Sequence, residues 1–295
     1  MKNQKSKRFV LWFSEISKED VALVGGKNAS LGEMFSRLGK KGIRIPNGFA
    51  TTSAAYWHYL RFNGIDEKLK KIFGRFNPKS IKSLKETGRA ARALILNGRF
   101  PPDIQEEILD SYHKLSEKYG EKNTHVAVRS SATAEDLATA SFAGQHESYI
   151  NVYGDKNLLR AIKNCIASLF TDRAISYRED KGFNHLNIAL SVGVLRMVRS
   201  DLASSGVMFT LDTETGFSKV VLINSIYGQG EMIVKGKIIP DKFYVFKPTL
   251  SKGYQPIIVK DLGRKDRKLV YNCLLYTSDA ADEGLGVDLG GRRII

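Results

Sequence analysis

A change of period near residue 187 constrains this chain more than any single motif. Upstream, apolar residues recur at helical spacing. Leu31, Met34, Phe35 and Leu38 follow Gly25-Gly26-Lys27, and Ile104, Ile108, Tyr112 and Leu115 line one face of 101–118. Leu159, Ile162, Cys165, Ile166, Leu169 and Phe170 repeat the pattern over 156–171. "IPNGFATTSAAYWHYL" predicts a turn at Pro46-Asn47-Gly48 and a helix begun by a Thr/Ser cap. Downstream, "NIALSVGVLRMV", "SGVMFTLD", "KVVLINS", "KFYVFKP" and "QPIIVKD" read as strands divided by Gly, Pro and charged turns. A helix-rich first part followed by a strand-rich second part predicts an α+β architecture.

At 295 residues the chain is long enough for one large domain or two ordinary ones. It contains no apolar run of membrane-spanning length. The N-terminal MKNQKSKRF is basic but lacks the apolar core and cleavage site of a secretion signal. Two cysteines, Cys165 and Cys273, cannot build a disulfide framework, so a reducing cytoplasm is the expected compartment. The formal charge of +15 favours an anionic partner. Its spread through helical segments such as Asp66-Glu67-Lys68-Leu69-Lys70-Lys71 reads first as a solvated face, and no helix-turn-helix or RNA-binding aromatic pattern stands out. Neither nucleic acid nor a membrane is the expected partner; a basic nucleic-acid binder is the minor alternative.

From Cys273 the text loses all period: "CLLYTSDAADEGLGVDLGGRRII" reads like a translated sequencing adaptor. We expect 8–272 to be the domain, incomplete at its C-terminus, and 273–295 to be non-native.

Three places suit chemistry. Gly25-Gly26-Lys27 lets backbone approach a ligand closely before a helix, with an ammonium for phosphate oxygens. It lacks the Walker A spacing, and an ordinary turn is the alternative. In "HVAVRSSATAEDLATASFAGQHESYINV", 125–152, the alternation predicts a strand ending on Arg129, a loop of small hydroxylated residues, and a second strand near Tyr149-Ile150-Asn151-Val152. A guanidinium ending an apolar strand needs an anionic partner. Glu135 or Asp136 in the same loop would serve, and so would a di- or triphosphate gripped by the guanidinium fork. Third, Gly228-Gln229-Gly230-Glu231 follows a strand and reads locally as a hairpin turn. His58, His113, His125, His146 and His185 are scattered, with no zinc or triad spacing.

Together the segments "LVGGKNASLGEM", "VAVRSSATAEDLATASFAGQHESYINV", "SLFTDRAISYREDKGF", "ALSVGV", "MVRSDLASSGVMFTLDTETGF" and "YGQGEMIVKG" resemble the N-terminal nucleotide-binding domain of the pyruvate, phosphate dikinase family, in its phosphoenolpyruvate synthase branch. The resemblance runs from about Phe9 to Tyr271. Rifampin phosphotransferase shares the arginine loop and is the nearest competitor; a non-catalytic nucleotide-binding module is the alternative from another class. The resemblance implies an ATP-grasp-like fold whose two subdomains clamp ATP. Lys27 and Arg129 then match phosphate-binding positions, and Gly25, Gly26 and Glu231 match positions near the nucleotide. The reaction implied is ATP, pyruvate and water to AMP, phosphoenolpyruvate and phosphate. It runs through a phosphohistidine on a domain that none of these five histidines matches, so no catalytic residue is assigned here. Mg2+ is implied, with its Asp-x-Glu ligands placed beyond Asn272. Pyruvate belongs to a barrel outside this stretch. Leu195 stands where the family usually has a glutamine near the adenine hinge, and Gln229 where it has an apolar residue.

Overall fold

The computed structural model describes residues 5–133, 148–250 and 252–271, together with the backbone of 292–294. The chain divides into two compact units, Met1–Met197 and Val198–Ile295.

The first unit is built on a five-stranded antiparallel sheet in the order β1-β2-β5-β3-β4. Its strands are β1 (Val10–Trp12), β2 (Gly48–Thr51), β3 (Val126–Ala132), β4 (Ser148–Val152) and β5 (Leu190–Arg196). Alternation sorts the two faces. Val126, Val128 and Ala132 of β3 join Leu190, Val192 and Val194 of β5 in the main core. That core is completed by α2 (Ser53–Phe62), α3 (Ile65–Phe73), α4 (Ile81–Asn97), α5 (Pro102–Lys118), α6 (Asp155–Ser168) and α7 (Asp172–Asp180). The opposite face carries α1 (Val21–Leu38), whose Val24 and Ala29 pack with Leu11, Ala50 and Leu195. The sheet is therefore sandwiched between one helix and a layer of six.

The predicted helices form with the expected signals. Thr52 caps α2 by accepting from the Ala55 N–H at 3.3 Å, and Pro102 opens α5. Ile104, Ile108, Tyr112 and Leu115 are all buried on α5, and Cys165 is fully buried on α6. On α1, Leu31 and Phe35 pack inward while Met34 is exposed. The Glu107 carboxylate of α5 accepts the N–H groups of Phe9 and Val10, satisfying the free edge beside β1.

One expectation is corrected here. The strand does not end on Arg129 but runs three residues further, with Ser130, Ser131 and Ala132 opposite Val192, Ser191 and Leu190. A small hydroxylated residue suits position 131 because α1 lies directly over it. Thr133 still donates its N–H to the Ala189 carbonyl at 3.0 Å. Residues 134–147, including Glu135, Asp136, Phe142, Gly144 and His146, lie outside the described residues.

The second unit is a four-stranded antiparallel sheet, order β6-β7-β8-β9: β6 (Ser204–Phe209), β7 (Val220–Tyr227), β8 (Asp241–Phe246) and β9 (Ile257–Asp261). All four strands were anticipated by the period-two segments. The expected hairpin turn at Gly228 is instead a long connection holding a short helix, α8 (Glu231–Val234), before β8. Gly228, at φ +76°, crosses so near β10 (Leu269–Tyr271) that a Cβ there would meet the Leu269 carbonyl at 2.5 Å. The close approach implied by the glycine is thus to protein backbone. A second short helix, α9 (Lys247–Leu250), follows β8. The backbone of β11 (Arg292–Ile294) pairs antiparallel with β10.

Gln229 is only 2% exposed, and among the described residues neither side-chain polar atom has a hydrogen-bond partner. Burying an unsatisfied amide costs about 1–3 kcal/mol. Gln229→Leu should therefore raise the urea midpoint by the equivalent of about 1–2 kcal/mol. A lower midpoint in the variant would show that the amide is satisfied in solution. Among the described residues no helix is long and apolar enough to cross a membrane.

Candidate functional site

Gly25 divides α1. At φ 72°, ψ 163° it leaves the helical region, and the helix resumes at Gly26. A Cβ at Gly25 would lie 2.3 Å from Ser131 Oγ, 2.6 Å from the Ser131 carbonyl oxygen and 2.7 Å from that of Ala132. Only glycine permits both the torsion and the contact. The resumed helix is pinned at its start: the Asn28 N–H donates to Ser131 Oγ at 3.4 Å, and the Asn28 side chain donates to Ser191 Oγ at 2.8 Å.

Lys27, one residue before this anchor, is exposed, while Gly25 and Gly26 are buried. Arg129 occupies the middle of β3, two residues before Ser131 and opposite Gly193 of β5. Alternation therefore puts it on the α1 side of the sheet. It too is exposed, so the penalty for burying an unpaired guanidinium does not arise. Its side chain has no hydrogen-bond or ion-pair partner among the described residues, and the acidic pair at 135–136 lies outside them. Gly193 is itself in contact with the anchor: a Cβ there would fall 2.3 Å from Asn28 Oδ1. The helix start carrying Lys27 and the strand position carrying Arg129 thus lie on one sheet face, in one unit.

Glu231 belongs to the second unit. It begins α8 and pairs with Lys235 one turn later, an ordinary i,i+4 ion pair. Leu195 is buried on the α1 side with Leu11, Phe13, Val24, Ala29 and Ala50, where a glutamine amide would need polar partners. His58 pairs with Asp103 and His113 with Asp155, while His125 meets Asn151. His185 bridges Arg178 and Glu179. Among the described residues no three His, Cys, Asp or Glu side chains cluster as metal ligands. Two open depressions, of about 680 and 550 Å³, are lined around His113 and His185 respectively, and neither includes Lys27 or Arg129.

Sequence reasoning missed Asn28, Ser131, Ser191 and Gly193. The usable signal was their position: each lies inside a quoted motif, and the last three occupy alternate strand positions on one face.

Residues 21–279 match the family model "Pyruvate phosphate dikinase, AMP/ATP-binding domain". The chain is 56% identical over 271 residues to phosphoenolpyruvate synthase of Aquifex aeolicus, covering 92% of this chain and 32% of that protein. It is 52% identical over 264 residues to the phosphoenolpyruvate synthase of Helicobacter pylori, covering 90% of this chain and 32% of that one. For the Escherichia coli phosphoenolpyruvate synthase the figures are 46% over 271 residues, 92% and 34%. The chain spans about a third of the length of these curated relatives. A match over most of the chain, in which the glycine break, the arginine strand and the central strand all take part, places it in a family: this chain belongs to the pyruvate phosphate dikinase AMP/ATP-binding domain family.

Proposed function

We propose that this chain is the ATP-binding part of a phosphoenolpyruvate synthase, which converts ATP, pyruvate and water to AMP, phosphoenolpyruvate and phosphate. The observation that carries the reading is the placement of the helix start bearing Lys27 and the strand position bearing Arg129 on one sheet face, in a chain of this family. In an ATP-grasp-like reading the nucleotide is clamped between two subdomains, with this face contributing the cations. The guanidinium fork of Arg129 grips phosphate oxygens in two directions, and the Lys27 ammonium adds a point charge. Together they would neutralise the polyphosphate and orient it for attack, the main contribution a protein makes to phosphoryl transfer. Mg2+ would supply further neutralisation of the phosphate oxygens when bound. On this reading the phosphohistidine carrier and the pyruvate site would lie outside the third of the relatives that this chain matches. A reaction drawing on ATP and pyruvate fits a cytoplasmic enzyme.

The test is calorimetry with MgATP on the chain as it stands, with Lys27→Ala and Arg129→Ala beside it. Each variant should bind ATP about tenfold or more weakly, since a charged hydrogen-bonding group is worth roughly 1.5–3 kcal/mol. Affinity unchanged by Arg129→Ala would remove that arginine from the site.

A further inference from the structure

We infer that Asn28 is the positioning residue that sets the Lys27 ammonium and the Arg129 guanidinium at a fixed separation for the polyphosphate; this rests on the ATP-binding reading above. Asn28 is 1% exposed, and so does not touch solvent-borne ligand itself. Its contacts reach two strands directly and a third through Ser191. The Nδ2–H group donates to Ser191 Oγ of β5 at 2.8 Å, and the Ser191 hydroxyl in turn donates to the Thr51 carbonyl of β2 at 2.5 Å. Thr51 closes the chain by accepting the Val192 N–H through its own hydroxyl at 2.9 Å. The Asn28 backbone N–H reaches Ser131 Oγ of β3, and Oδ1 fills the space left open by Gly193, which sits opposite Arg129.

This geometry goes beyond what stability requires. An apolar residue would bury α1 against the sheet equally well, and would avoid desolvating an amide. A directional network instead fixes the rotation of the helix start, and with it the root of Lys27, relative to the strand that bears Arg129. Two cations on separate elements act on one polyphosphate only if their roots hold still, because an error of an ångström forfeits most of the gain. Aspartate would not substitute: it is acceptor-only, cannot donate to Ser191, and would bring negative charge beside the two cations.

The experiment compares affinity for MgATP with affinity for adenosine, which lacks the phosphates, by calorimetry on the wild type and on Asn28→Ala, Ser191→Ala and Arg129→Ala. A positioning role predicts that Asn28→Ala weakens ATP about tenfold while adenosine changes by less than about twofold. Ser191→Ala, a smaller lesion that retains the fold if Asn28→Ala does not, should give part of the same selective loss. The double variant should lose less than the sum of the two. A merely structural role would lower the melting temperature and leave the ATP-to-adenosine ratio at its wild-type value; that outcome in both variants overturns the inference. The two readings fail differently. If Arg129→Ala weakens ATP and neither Asn28→Ala nor Ser191→Ala changes the ratio, only the positioning role is lost. If the wild type does not prefer ATP to adenosine, the phosphate site and the positioning role fall together.

Discussion

Gly25→Ala is expected to destabilise the first unit by roughly 3 kcal/mol or more, the combined cost of a strained torsion and an overpacked contact. The added methyl meets obstacles that cannot rotate away, since two of the three nearest atoms are backbone carbonyl oxygens of β3. Relief requires lifting α1 from the sheet, which breaks the Asn28 hydrogen bonds to Ser131 and Ser191. ATP affinity should fall with stability. Gly42→Ala is the control: its φ is also positive, at +80°, but nothing lies within 4 Å of the added methyl. That variant carries only the torsional penalty, about 1 kcal/mol. Urea unfolding of the two variants separates sterics from torsion. Equal midpoints for both would mean that α1 does not sit against β3 as described.

The second large effect is an acid-sensitive core. Arg178 of α7 is fully buried, and its Nε–H donates to His185 Nδ1 at 3.2 Å. Among the described residues neither terminal guanidinium nitrogen has a hydrogen-bond partner. Burial lowers this guanidinium to about 10, which leaves it charged at neutral pH. His185 Nε2 lies 3.1 Å from Glu179 Oε2, so the accepting Nδ1 defines a neutral imidazole with its proton on Nε2. The ring stacks on Phe73 with centroids 4.7 Å apart, and Lys70 lines the same depression. Burial, then the charge of Arg178, hold His185 below its usual 6.5, while Glu179 pulls the other way.

The sign follows from linkage. As pH falls through about 6.5 the unfolded chain takes up the proton before the folded one does. Stability is therefore complete above that value and declines below it, down to the lowered folded value. Protonation also gives Nδ1 a hydrogen facing the Arg178 donor. Melting temperatures measured from pH 7.5 to 5.5 should fall in the wild type. His185→Asn, whose amide oxygen can accept from Arg178 without titrating, should flatten that fall. His185→Ala should lose roughly 2 kcal/mol at neutral pH, because it strips the acceptor from a buried charged donor. Parallel pH curves for the wild type and His185→Asn would count against this account.

What the chain declares in its text is uneven, and for physical reasons. Elements with one wet face announce themselves. The α5 stripe Ile104, Ile108, Tyr112 and Leu115 stood out by period, because alternation of burial is what period records, whereas β5, buried along nearly its whole length, and β6 to β9 stood out as apolar segments divided by Gly, Pro and charged turns. Elements whose pattern is diluted did not. On α4 the buried set is Thr87, Gly88, Ala91 and Ile95, mostly small or polar residues, and α7 buries an arginine where a hydrophobe is looked for. β1 and β2 are three and four residues long, too short to show a period. For the candidate site, Lys27 and Arg129 were legible as cations beside a glycine pair and on an apolar strand, and motif resemblance joined them. Their supporting residues were not, since hydrogen bonds between positions 28, 131 and 191 are facts of tertiary pairing.

The strand order β1-β2-β5-β3-β4 also has a bearing on synthesis. The last strand to be made occupies the middle of the sheet, so a nascent chain ending before Leu190 carries β1–β2 and β3–β4 as two separate ribbons. Glu107 shields only the outer margin of the first; the inner margins of both stay open until β5 emerges from the ribosome. The sheet of this unit can therefore close only after translation has passed residue 196.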